Sequence, residues 1–73
     1  MTPARLNEIG TALFGPSWRA ALAAALGVAE RTVRRWAAGD TDMPAGIDRD
    51  LAALCRRHAD RLTKLAQQLL PDA

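Results

Sequence analysis

The sequence predicts an all-α fold, a small helical bundle, and three features lead there. Its apolar content is dominated by Ala and Leu rather than by β-branched or aromatic residues. Apolar positions recur at steps of three and four. Gly and Pro cut the chain into pieces of helical length. Its 73 residues are 49% hydrophobic and 25% charged, a globular and not a disordered composition. They make one domain, and a lone core of this size supplies only about a few kcal/mol beyond the entropy of ordering it, so self-association is expected.

Thr2 and Pro3 read as the cap and first residue of a helix that carries Leu6, Ile9 and Leu13 to about Phe14, where Gly15 and Pro16 stop it. Ser17 is placed to cap a second helix, Trp18 to about Leu26, with Leu22 and Leu26 on one face. Gly27 supplies a left-handed turn. Val28 and Ala29 lead into a third helix from about Glu30 to Ala38, ended by Gly39. These helices form a core over residues 1–43.

The remainder, residues 44–73, reads as one C-terminal helix begun by Pro44, favoured by Asp48 and Asp50 near its positive end and unbroken until Pro71. It would span ~27 residues, or ~40 Å. A stripe of Ile47, Leu51, Leu54, His58, Leu62, Leu65 and Leu69 runs along it at a spacing near the straight-helix period, not a strict heptad. Such a helix is too long for the small core to cover. Its first half is expected on the core, and His58, Leu62, Leu65 and Leu69 are expected to form the seam of a homodimer about a two-fold axis.

The longest apolar run, Ala20 to Leu26, is far short of the ~20 residues needed to cross a bilayer, and no leader-like segment opens the chain. A single cysteine, Cys55, excludes an internal disulfide framework. The expectation is a cytoplasmic protein without a membrane partner, associated with the nucleoid when bound to DNA. Cys55 and His58 lie three apart, but the chain holds no further Cys or His, so no metal site is expected; Cys55 reads as a small apolar residue. Neither paired carboxylates, nor a nucleophile with its base, nor a phosphate-cradling glycine loop is visible, so neither catalysis nor a cofactor is expected.

The second and third helices meet the steric demands of a helix-turn-helix, in which two helices cross at a short turn and approach only where the contact residue is small. Ala23, four before Gly27, is that residue. Leu22, Leu26, Val28, Val33 and Trp36 supply apolar side chains where the helices should touch. At 100° per residue, Arg31, Arg34, Arg35 and Ala38 fall within an arc of about 100°, with Val33 and Trp36 on the other side. The net charge is only +2, but this stretch is locally basic and Asp40, Asp42, Asp48 and Asp50 follow it.

Charged stretches are usually solvated faces. Three arginines on one arc, after a turn of the right length and behind a small contact residue, point instead to duplex DNA. An Arg-rich helix fits the major groove, where a guanidinium forks onto guanine O6 and N7. Arg31 and Arg34 are the expected base readers. Glu30 either accepts from cytosine N4 or, the preferred reading, orients Arg34 by an i, i+4 pair. Trp18 could lie on the sugar-phosphate surface, but the core reading is preferred.

The segment Leu22 to Gly39, with "ALGVxxRTVRRWxxG" at its centre, resembles the helix-turn-helix of Cro/CI-type (XRE-like) bacterial and phage regulators. Ala29 stands where that family often has a capping Ser or Thr. The start of the second helix typically abuts the DNA backbone in this family, which, with the anion affinity of a helix N-terminus, assigns phosphate contacts to Ser17, Arg19, Thr32 and Arg35. With no room for an effector domain, the expectation is a homodimeric repressor whose two recognition helices read an inverted repeat with half-site centres ~34 Å apart, and the resemblance implies that it represses its own operon. Control of a phage or mobile-element operon, including those with anti-CRISPR genes, belongs to the same implication. The alternative is a helical adaptor or antitoxin-like module whose arginines meet an acidic protein.

Overall fold

The structure, a computed structural model, describes residues 1–70. Among these residues there are four helices and no strand: α1 (Pro3–Phe14), α2 (Trp18–Leu26), α3 (Glu30–Ala38) and α4 (Ile47–Leu69). The expected stop at Pro71, and the rest of 71–73, lie outside the described residues. No described helix is long and apolar enough to cross a membrane.

Helices α1 to α3 begin and end where local chemistry dictates. The Thr2 hydroxyl accepts from the Arg5 N–H at 3.2 Å, and Pro3 occupies the first turn, where its missing N–H costs nothing. Gly27, at φ 73°, turns the chain out of α2: the Val28 N–H donates to the Ala23 carbonyl at 3.0 Å and the Gly27 N–H to that of Ala24 at 3.3 Å. This pairing satisfies carbonyls that a helix end leaves without partners. The same pattern closes α3 at Gly39, with Asp40 donating to Arg35.

Leu6, Trp18, Leu22, Ala23, Val33, Trp36, Ile47 and Leu51 form one buried cluster drawn from all four helices. Helices α2 and α3 share the largest contact, and Ala23 is buried. Trp18 is 2% exposed and belongs to the core. Its seat is Gly10 of α1: a Cβ at that position would fall onto the indole ring. Glycine in mid-helix costs up to about 1 kcal/mol relative to alanine, and here it makes room for one of the two indoles of the core.

Four expectations need correction. Helix α4 begins at Ile47, not Pro44, because Gly46 sits at φ 88° and breaks the helical path; Pro44 to Ile47 form a turn closed by the Ile47 N–H on the Pro44 carbonyl at 3.3 Å. Ser17 makes no capping bond, since its ψ of 37° lies outside the extended conformation that aims a capping oxygen at the first-turn N–H groups. Val28 is 37% exposed rather than wedged between α2 and α3, because the left-handed turn at Gly27 directs it outward. Cys55 is a free, exposed thiol and not a packed apolar residue.

Helix α4 has 23 residues, about 35 Å, and only its first part is covered. Ile47 and Leu51 are buried, Leu54 and His58 half-buried, and Leu62, Leu65 and Leu69 exposed at 54%, 42% and 80%. The molecule measures 49 × 22 × 21 Å, with a radius of gyration of 14.1 Å. A compact chain of this length would have about 11 Å. The projecting half of α4 accounts for the difference.

Candidate nucleic-acid interface

The outer face of α3 follows from its sequence period. Val33 is fully buried and Trp36 is 5% exposed, so they fix which side of the helix meets the core. Arg31, Arg34 and Arg35 are all exposed on the opposite side. Three guanidiniums on a nine-residue helix repel one another, and only Glu30 offsets them locally. Its carboxylate lies 3.4 Å from the Arg34 guanidinium, one turn away. The pair is largely exposed and contributes at most a few tenths of a kcal/mol to stability. The i, i+4 pair expected between Glu30 and Arg34 is thus present.

The start of α2 comes up beside this face. Arg34 and Glu30 share a shallow depression with Pro16, Ser17, Arg19 and Ala20, and Arg34 shares a second with Arg19, Ala37 and Ala38. The structure therefore brings together Ser17, Arg19, Glu30 and Arg34. Arg31 and Arg35 lie along the same helix, outside these depressions. Thr32 is half-buried and sits about 110° from the centre of the arginine arc, on the flank next to Trp36. Ser17 is exposed at the start of α2, and its hydroxyl makes no capping bond.

Arg19 has a support that the sequence reading missed. Its guanidinium carbon lies 4.9 Å from the centroid of the Trp18 ring, a cation–π contact of about 0.5–1 kcal/mol. The same indole is locked by Gly10 beneath it. A chain of contacts thus runs from the core of α1 through Trp18 to a cation on the surface. The one sequence signal was the glycine inside an otherwise regular helix, which marks a close approach.

Of the proposed seam residues, His58 already has a neighbour within the chain. Its imidazole meets Phe14 edge-on, with ring centroids 6.4 Å apart and planes at 68°. Leu62, Leu65 and Leu69 are exposed, with no cover among the described residues. No family model matches the chain, and no curated protein or solved structure does either.

Proposed function

We propose that the protein is a sequence-specific DNA-binding regulator that inserts α3 into the major groove, acting as a homodimeric repressor of the Cro/CI type. The observation that carries this reading is the exposed Arg31, Arg34 and Arg35 face, backed by buried Val33 and Trp36 and flanked by Arg19 and the α2 N-terminus. Arg31 and Arg34 read bases, Arg34 held by Glu30. Arg35, Arg19, Ser17 and Thr32 contact phosphates, which position the helix without specifying sequence.

The dimer reading rests on the uncovered stripe of α4. Leu62, Leu65 and Leu69 are three large apolar side chains on one face of a helix that leaves the core behind. Two copies paired there, with His58 at the inner edge against Phe14, present two recognition helices to an inverted repeat. The experiment is binding to the DNA upstream of the protein's own gene, measured against a scrambled duplex across a salt series. Selective binding that weakens steeply with salt supports the reading, and equal affinity for both duplexes, or none, overturns it.

A further inference from the structure

The projecting part of α4 carries a second basic surface that the α3 face does not account for. Arg57, Arg61 and Lys64 recur at i, i+4 and i+7, all exposed, within an arc of about 60°. With Asp60, Leu65 and Gln68 they line one open depression along the helix. Asp60 is the only acid among them, and among the described residues no ion pair joins it to any of the three cations. The centre of this ridge lies about 100° around the helix from the Leu62, Leu65 and Leu69 stripe, so pairing through the leucines leaves the cations in solvent.

The packing of the core brings the start of this ridge to the end of the bundle where α1 finishes. Gly39 lies next to Pro3, and Met1 borders the Asp42 to Asp48 segment, so the start of α1, the end of α3 and the start of α4 gather at one end of the bundle. Phe14 meets His58, and Pro16 and Ser17, which follow α1, share a depression with Glu30, so the opposite end holds the end of α1 and the starts of α2 and α3. Helix α4 therefore runs parallel to α1 and leaves the core past His58 at the end where α1 finishes and Ser17 begins α2. Arg61 lies one turn beyond that exit, and Lys64 nearly two.

We propose that Arg57, Arg61 and Lys64 form a second contact with the DNA backbone, holding phosphates that flank the bases read by α3. The inference rests on the DNA-binding reading above. The three cations extend over about 10 Å of helix, matching about three phosphates of one strand at 3.4 Å of duplex axis each. The ridge adds affinity without sequence preference and gives the dimer a longer footprint than its two recognition helices.

The test compares the full-length protein with the triple variant Arg57→Gln, Arg61→Gln, Lys64→Gln, on the upstream duplex and a scrambled one. Circular dichroism and light scattering monitor fold and mass. The salt slope of the variant should become shallower by about 1 for each lost phosphate contact, up to ~5 per dimer. Its affinity should fall about tenfold or more, equally on both duplexes, with helix content and mass unchanged. The charge-keeping variant Arg57→Lys, Arg61→Lys, Lys64→Arg should bind like the parent, and Arg49→Gln, at the far end of α4, should leave the slope unchanged. Selective binding by the parent, with affinity and slope unaltered in the triple variant, overturns the ridge and leaves the α3 reading standing. Loss of sequence preference alone, a monomeric variant, or an equal effect of Arg49→Gln also overturns it. A parent with no selective DNA binding removes both readings together, including the case in which the ridge captures only an acidic polypeptide such as polyglutamate.

Discussion

The two halves of α4 have the same sequence character and opposite surroundings. Both present an apolar residue every three or four positions, yet Ile47 and Leu51 are almost fully buried while Leu62, Leu65 and Leu69 face solvent. Periodicity states which side of a helix is apolar, and it is silent about what covers that side. In the first half the cover is the chain's own core, so the stripe contributes to folding. In the second half none of the described residues covers it, so the stripe adds little to the folding of the single chain.

Deleting the same side chain in each half separates these roles most sharply. Leu51→Ala should destabilise the fold by about 2–5 kcal/mol, since a 1%-exposed leucine leaves a cavity in a small core. Leu69→Ala, at 80% exposure, should change the unfolding free energy of dilute protein, read by urea titration, by no more than about 0.5 kcal/mol. Comparable losses would mean that the second half is covered after all. Leu65→Asp tests what covers it: light scattering should give half the parent mass, with helix content retained. An unchanged mass excludes the seam.

The α3 face permits the same kind of comparison between adjacent arginines. Arg34→Ala should cost about 1–3 kcal/mol of discrimination between operator variants, whereas Arg35→Ala should weaken all sequences alike. Identical profiles would refute the division between base reading and phosphate contact. Beneath that face, Gly10→Ala carries two opposing contributions. A helix interior gains up to about 1 kcal/mol from alanine, but the new methyl meets the Trp18 indole, and such overpacking costs about 1–3 kcal/mol. The clash is with the body of a rigid ring, so thermal denaturation should show a net loss of stability. A rise in melting temperature would mean that the indole can move aside.

These contrasts also explain what could be read from the chain alone. The bounds of α1, α2 and α3 were legible because their stops are local: glycines at Gly15, Gly27 and Gly39, and a capping hydroxyl at Thr2. The start of α4 was misread because Pro44 and Gly46 give competing signals two residues apart, and the left-handed glycine prevails over a proline that fits a helix start equally well. Ser17 and Val28 were misplaced for a related reason, since a residue type suited to a role does not acquire it unless backbone torsion aims it there. Of the interface, the arginine arc follows from period alone. The stacking of Arg19 on Trp18, and the depression that Ser17 shares with Glu30 and Arg34, depend on how three helices pack, which no local pattern encodes.

The smallest expected effect is the most specific to the proposed mechanism. Glu30→Gln keeps the size of the side chain and removes its charge, so the exposed pair with Arg34 is weakened at a cost of only a few tenths of a kcal/mol in stability. The net charge of the α3 face becomes more positive, which by itself should strengthen binding to every duplex. If Glu30 orients Arg34, however, its loss frees the guanidinium to sample rotamers away from its base, and discrimination should fall even as general affinity rises. Measuring operator and scrambled duplexes at two salt concentrations separates the two effects, because the electrostatic gain fades with salt and the loss of discrimination does not. Equal gains on both duplexes would show Glu30 to be only a counter-charge. A collapse of operator binding with no gain elsewhere would instead make it a base reader in its own right, accepting from cytosine N4.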